Sequence, residues 1–321
     1  MTSASPPDRR GRTPDPHAAG LLPDHVRAFL EVARCGSVRE ASETLNIAPS
    51  ALSRQIQNLE YRVGVPLFER RPRGMALTAA GEIYVRYARQ VALETDRLAS
   101  ELEELRGVRR GKIRIATVEG VVADILIDLM ADFRRKYQGV SFDLTIVGTD
   151  DVVAAVRDGH VDVGISFDAL PDPAVKFVCR VRDPLMALVS PDHRLAGRTE
   201  ISIAELFVEP LAVPEVGFGI RRLIDEQCRR LGRSISPALE TNSIEALRGF
   251  ARSGAGVSLI PAMSFRRERR LGWVHPIPIV EPELQRASMD ISVLAGRRLP
   301  SSVHEFLRAL EKAFVSARTA A

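Results

Sequence analysis

The stretch Ser50-Ala-Leu-Ser-Arg-Gln-Ile-Gln-Asn-Leu-Glu60 decides how the chain is organised. Leu52, Ile56 and Leu59 recur at spacings of four and three, which predicts a helix with one buried face, and Val63 extends that face by a turn. The other side opens on small polar residues. Such a helix can rest its back on a core and lay its first turns in a DNA groove.

Working outward, Asn46-Ile-Ala-Pro-Ser50 breaks the pattern. Pro49 lacks an N–H and suits the opening of a helix, and Ser50 is placed to cap that helix. Upstream, Ser37 and Glu40 form a capping box for a helix whose buried stripe is Val38, Ala41 and Leu45. An earlier helix carries Val26, Phe29, Leu30 and Ala33 on one face, with Asp24 as cap and Gly36 as stop. Two short helices joined by a tight turn, with a small Ala at the packing point, make a helix-turn-helix. Downstream, Gly64-Val-Pro-Leu-Phe68 ends the central helix, and Glu69 to Thr78 reads as a basic hairpin turned by Pro72 and Gly74. Its arginines, Arg70, Arg71 and Arg73, make a wing suited to a phosphate backbone.

Composition sets bounds on this reading. A chain of 321 residues accommodates two or three domains, and 45% hydrophobic content supports proper cores. The net charge is only +4, but residues 1–110 hold 17 Arg, no Lys and 14 acids, a net of +3. The basic character is therefore a local patch in the first third, which permits nucleic acid without demanding it. Cys35, Cys179 and Cys228 are too scattered for a disulfide framework or zinc site, in keeping with a reducing cytoplasm. No apolar run reaches the roughly 18–20 residues of a membrane span. Residues 1–20, rich in Pro, Arg, Asp and Ser, read as a disordered extension without the apolar core of a signal peptide.

After Thr78 a long helix runs to about Leu105. Tyr84, Val91, Leu98 and Leu105 recur every seven residues with Tyr87 and Leu102 beside them, a coiled-coil seam interrupted by Glu94 and Glu101. From Lys112 strands and helices alternate, beginning with Ile113 to Thr117, Ala123 to Tyr137, Ser141 to Val147, Asp151 to Arg157 and Val161 to Ile165. That alternation predicts a largely parallel sheet with ligand loops at the carboxyl ends of its strands. It continues to a last strand, Met289 to Leu294, and a last helix, Ser302 to Ala317.

Phe29 through Gly81 resembles the DNA-binding domain of LysR-type transcriptional regulators. The shared residues are Gly36-Ser37, Ala41, Leu45, Ser53, Leu59-Glu60, Gly64, Leu67-Phe68-Glu69-Arg70 and Leu77-Thr78-x-x-Gly81. Ser42 departs from the family's second Ala, and Pro49 stands where many members carry a base-reading Gln, so that role is not carried over. Three later segments resemble the family's effector part: Asp158-Gly-His-Val-Asp-Val-Gly164, Ser190-Pro-Asp-His-Arg-Leu-Ala196 and Gly254-Ala-Gly-Val-Ser-Leu-Ile-Pro261. The resemblance implies a winged helix-turn-helix over residues 21–78, a dimerising linker helix over 79–106, a hinge at 107–111 and an effector-binding domain over 112–318. That last domain is expected to have a type 2 periplasmic-binding-protein fold, with one α/β subdomain from 112–182 and 284–318 and another from 183–283.

On this footing Ser50, Ala51, Ser53, Arg54 and Gln55 are expected to meet DNA, Arg and Gln by forking onto base edges. Arg70, Arg71 and Arg73 are expected on phosphate or the minor groove, with Arg70 the one most suited to pairing with an acid of its own domain. The seam residues Tyr84, Tyr87, Val91, Leu98, Leu102 and Leu105 are expected to pair subunits. For the effector cleft the resemblance selects Thr117, Val118, Glu119, Gly120, Thr149, Asp150, Ser166, Phe167, Pro214, Gly217, Phe218, Gly219, Asn242 and Ser243. Each of these, taken singly, also suits a cap or a turn. Glu119 and Asp150 depart from the family's frequent Ser or Thr and favour a neutral or amine-bearing ligand over an anion. The implied partners are double-stranded DNA with a pseudo-palindromic operator, a small-molecule effector, a second copy or a tetramer of this chain, and RNA polymerase.

Two other classes compete. An enzyme built on the α/β part finds no support in a phosphate loop, a G-x-S-x-G elbow, paired catalytic carboxylates or metal-spaced ligands, since His160, His193 and His304 stand apart. No catalytic, cofactor or metal residue is therefore assigned. A sequence-tolerant DNA-packaging protein would share the basic patch but protect no discrete site.

Overall fold

A computed structural model describes residues 21–71, 74–105 and 110–319. The expected extension, Arg73 and hinge residues 107–109 lie outside the described residues. The chain divides into two compact units with the boundary between Arg106 and Gly107.

In the first unit, helices α1 (Asp24–Cys35), α2 (Val38–Leu45) and α3 (Pro49–Val63) precede strands β1 (Phe68–Arg71) and β2 (Gly74–Leu77) and the long helix α4 (Ala79–Leu105). Phe29, Val32, Leu52, Ile56, Leu59 and Leu67 form one core with Val85 and Ala88 of α4. Each large side chain there contributes roughly 1.5–3 kcal/mol of burial. Ala41 is fully buried between α2 and its neighbours, where a bulkier residue would hold the helices apart. The departing Ser42 is also buried, and its hydroxyl is satisfied by donating to the Arg39 carbonyl at 2.7 Å.

Three local expectations are corrected. Pro23 occupies the N-cap of α1, and Asp24 is its first helical residue, paired to Arg27 at 2.7 Å. Helix α3 starts at Pro49 after Ala48, so Ser50 lies inside the first turn and caps nothing. Val63 is exposed, because Gly64 in the left-handed region has already turned the chain away from the core.

The second unit holds two five-stranded sheets. The first uses β3 (Arg110–Thr117), β4 (Gly139–Ile146), β5 (Val163–Phe167), β6 (Val175–Arg182) and, from far along the chain, β12 (Ser288–Leu294), in the order β4-β3-β5-β12-β6. Helices α5 (Ile127–Lys136), α6 (Thr149–Arg157) and α12 (Ser301–Thr319) belong to the same half by sequence. The second sheet has the order β11-β7-β10-β8-β9 and contains β7 (Leu185–Val189), β8 (Leu211–Pro214), β9 (Leu239–Thr241), β10 (Val257–Pro261) and β11 (His275–Pro278). Between its strands run α7 (Ile203–Leu206), α8 (Gly219–Arg230), α9 (Ile244–Arg252) and α10 (Arg266–Arg270), and α11 (Pro282–Arg286) follows its last strand on the way back to the first sheet. The sheets are mixed rather than largely parallel: β12 runs antiparallel to β5 and β6, and β7 antiparallel to β10 and β11.

Strands β6 and β11 are additions to the sequence reading. The helix expected over Ala123 to Tyr137 opens as a π turn (Val122–Leu126) before α5, and a 3-10 turn (Glu119–Val121) precedes it. The chain leaves the first sheet after Arg182 and returns to it at Ser288.

Two buried acids hold this frame. Asp162, from the Asp158–Gly164 motif, accepts from the Arg114 amide at 2.8 Å and from the guanidinium groups of Arg114 and Arg297 at 3.0 and 2.6 Å. Burial alone would raise its pKa, but the two arginines outweigh it and hold the carboxyl below its usual range. Asp183, at the first crossing between sheets, is completely buried, with the Met263 amide on one oxygen at 2.9 Å and no partner on the other. Burial pushes its pKa up to about 7 against the opposing amides of Met263 and Ala262. The folded chain thus keeps a proton that the unfolded chain releases, so stability falls as pH rises from about 4 to about 7 and then levels off. Asp183→Asn keeps the acceptor and removes the charge. Urea unfolding should show it more stable than wild type by roughly 2–4 kcal/mol at about pH 8, with the gain vanishing near pH 4.

Candidate DNA interface and effector cleft

Helix α3 buries Leu52, Ile56 and Leu59, which leaves Ser50, Ala51 and Arg54 on its exposed side. Ser53 and Gln55 flank that stripe and are half-buried. The stripe continues past the residues expected from sequence: Asn58 lies one turn beyond Arg54, and Gln57 and Tyr61 extend it, Tyr61 being 88% exposed. Helical spacing from Arg54 was the available signal for all three.

The wing is pinned to this helix by main-chain hydrogen bonds. The Glu60 carboxylate accepts from the amides of Leu67 and Phe68 at 2.8 and 3.0 Å. Thr78 donates its hydroxyl to the Pro66 carbonyl at 2.8 Å and accepts from the Gly81 amide at 3.0 Å, which starts α4. A Cβ on Gly81 would sit 2.1 Å from the Leu67 carbonyl oxygen, so only glycine allows this approach. The far end is held by the Met75 amide on the Gly36 carbonyl at 2.7 Å, where a Cβ on Gly74 would come within 2.3 Å of the same oxygen. Strands β1 and β2 then pair Arg70 with Met75 and Arg71 with Gly74. Arg71 forms an ion pair with Glu69, whereas Arg70 has no acidic partner among the described residues, the reverse of the expected division of labour. Arg73 lies outside them.

Along α4 the seven-residue seam divides. Tyr84 and Val91 pack on the core of their own unit, Tyr84 edge-on to Phe29 at 4.7 Å between ring centroids. Tyr87, Leu98 and Leu102 remain 57%, 48% and 45% exposed, in line with the exposed Ile83. Arg97 bridges Glu94 and Glu101 at 3.1 and 2.9 Å, which neutralises the two interruptions of the seam. The side chain of Leu105 is not among those described.

In the second unit, Val118, Gly120, Thr149, Phe167, Phe218 and Gly219 meet at one small cavity with Ile220, Ile244, Pro261, Ser264 and Met289. The other expected cleft residues do not line it. Thr117 is buried with its hydroxyl on the Val118 carbonyl, Ser166 is buried with an unpartnered hydroxyl, and Pro214 gives its carbonyl to Arg221. Asp150 and Asn242 are exposed. Glu119 and Ser243 instead meet each other across the cleft. The Glu119 carboxylate accepts from the Ser243 hydroxyl at 3.2 Å and from the Ile244 and Glu245 amides at 2.6 and 3.3 Å. The Asp150 amide donates to the Gly217 carbonyl at 3.4 Å, and a Cβ on Gly219 would lie 2.1 Å from the Phe167 carbonyl oxygen. A further cross-cleft pair joins Asp168 to Arg222 at 2.7 Å. Asp168 holds a left-handed φ of 49°, a strain compensated by that pair and by Asp290, which accepts from the neighbouring Ala169 amide at 2.9 Å. Burial pushes the Asp290 carboxyl up, against the hydrogen bonds from Ser288 and Ala169.

Residues 23–82 match the family model for bacterial regulatory helix-turn-helix proteins of the lysR family, and residues 106–315 match the LysR substrate binding domain. The chain belongs to the LysR family. This LysR-type regulator is 30% identical to the probable nitrogen assimilation transcriptional activator of Synechococcus elongatus, over 82% of its own length and 86% of the relative's. Its fold is shared with a full-length point variant of OxyR from Pseudomonas aeruginosa, at a TM-score of 0.65 and 20% identity over 92% and 93% of the two chains. It is shared too with CbnR complexed with its target DNA, at a TM-score of 0.58 and 21% identity over 90% and 98%.

As a LysR-type regulator the chain is a DNA-binding transcription factor with an effector-binding domain. Among its described residues no helix is long and apolar enough to cross a membrane, and no cluster of three or more His, Cys, Asp or Glu is placed to hold a metal. Among the site features that sequence reading missed are Gln57, Asn58 and Tyr61 on α3, the cavity residues Ile220, Ile244, Pro261, Ser264 and Met289, and the Asp168–Arg222 pair, which spans 54 residues. In this regulator Glu60→Ala should cost about 1–3 kcal/mol by orphaning two amides. Thermal melting reads that loss, and DNA affinity should fall with it although Glu60 faces away from the exposed stripe.

Proposed function

We propose that this regulator reads a two-fold-related operator with the exposed stripe of α3 while Arg70 and Arg71 hold the phosphates beside it. The carrying observation is the stripe itself, with Arg54 exposed and its back locked into a core by Leu52, Ile56 and Leu59. CbnR, a fold neighbour, has been solved with its target DNA, which supports the same use of this unit. The exposed line Ile83, Tyr87, Leu98 and Leu102 on α4 is the proposed pairing surface between two copies. The cavity around Val118, Phe167, Phe218 and Met289 is the proposed effector position, and a ligand there acts by its different affinity for two arrangements of the sheets. We read the chain as a cytoplasmic regulator without turnover, a reading supported by its relative among transcriptional activators.

Footprinting tests the whole proposal: a discrete, roughly palindromic site should be protected against excess random duplex. Arg54→Ala should weaken operator binding by about 1–3 kcal/mol and random-duplex binding far less. Arg70→Ala should weaken both alike and reduce the salt slope by about one. Replacing Leu98 and Leu102 together with Asp should shift sedimentation toward the monomer and erase the two-fold footprint.

A further inference from the structure

Three donors from one half of the cleft converge on a single side chain of the other. The Ser243 hydroxyl and the Ile244 and Glu245 amides open the nine-residue helix α9, and all three are taken by Glu119. A helix start of this kind favours an anion, because its free amides and the helix dipole point the same way. Next to Glu119 the backbone of Gly120 comes so near the opposite half that a Cβ would lie 2.2 Å from the Ser264 hydroxyl oxygen. Behind it, the cavity has a volume of about 10 Å³ and no charged side chain in its lining. That is on the order of one water molecule.

We propose that Glu119 occupies the cleft's anion position from within, so that the cleft rejects carboxylates and takes a small uncharged ligand, which enters only by parting Glu119 from Ser243 and its neighbours. An incoming carboxylate would compete for three donors already in use and would sit beside the like charge of Glu119. An apolar ligand gains burial against Val118, Phe167 and Phe218 without that repulsion. Entry of such a ligand therefore widens the cleft. The proposal rests on the cleft being the effector position.

Hydrogen–deuterium exchange on the full chain tests it at the amides of Ile244 and Glu245. Glu119→Ala should speed their exchange roughly tenfold or more, the equivalent of losing a charge-assisted hydrogen bond. Acetate should restore protection and raise the melting temperature in that variant while leaving wild type unchanged. Glu119→Gln, which keeps the length of the side chain, should speed exchange less and gain no response to acetate. Unchanged exchange in Glu119→Ala, or an acetate response in wild type as large as in the variant, would overturn the proposal. Operator footprints of Glu119→Ala with and without acetate separate the two layers. Footprints that ignore both, while exchange responds, remove the cleft as the regulatory position and leave the internal carboxylate contact standing.

Discussion

The Glu60 carboxylate, in the last turn of α3, takes the Leu67 and Phe68 amides just as the chain enters the wing. In the proposed reading mode the helix and the wing must keep a fixed separation, since one would lie in a groove and the other on the backbone beside it. A side chain that holds two main-chain donors does this better than packing alone, because it fixes direction as well as distance. The other pins depend on it. Thr78 and Gly81 fasten the exit of the wing to the same short segment, and the Gly36 carbonyl receives its far end. Residues that look like family ornaments in the sequence are therefore one connected frame, and the outer stripe of α3 is exposed because its back is fully committed.

At the cleft of the second unit, directional polar contacts join the two halves beside the apolar lining. Each half has its own strands and a shared apolar core, but the faces that meet at the cleft are joined by Glu119 on α9, by Asp168 on Arg222 and by the Asp150 amide on Gly217. Such contacts are directional and can be exchanged for water or ligand at modest net cost, unlike a packed core. Asp162, paired to Arg114 and Arg297 inside the first half, has the opposite character and cannot be released singly without leaving buried charge.

Much of this was legible in the chain. Period-four and period-three spacing exposed α3, and alternation of Ile113 and Ile115 with charged neighbours exposed β3. The strands that escaped, β6 and β11, are both sheet edges, where arginines and prolines are tolerated because one side of the ladder goes unpaired. His275-Pro-Ile-Pro278 reads as a turn for the same reason. The seam on α4 misled in its first half because a seven-residue repeat cannot distinguish a partner helix from the core that Phe29 supplies to Tyr84. Within the cleft, residues at strand ends could be chosen, but which of them face one another could not. Glu119 reaches Ile244 over 125 residues of chain, and no local pattern encodes that meeting.

Arg182 and Ser288 are direct neighbours in the β6–β12 ladder, although the entire second sheet lies between them in sequence. In chain terms, that sheet is the loop of an antiparallel hairpin, swollen into a folded body. Both of its ends are clamped a strand-width apart, so any change of attitude is a swivel about a narrow neck, and Asp183, the first residue past that neck, is buried there. A body inserted in this way could be exchanged for another whose ends lie equally close without disturbing the host sheet's strand order. Diversity of ligand and constancy of DNA-reading architecture can then coexist in one polypeptide plan.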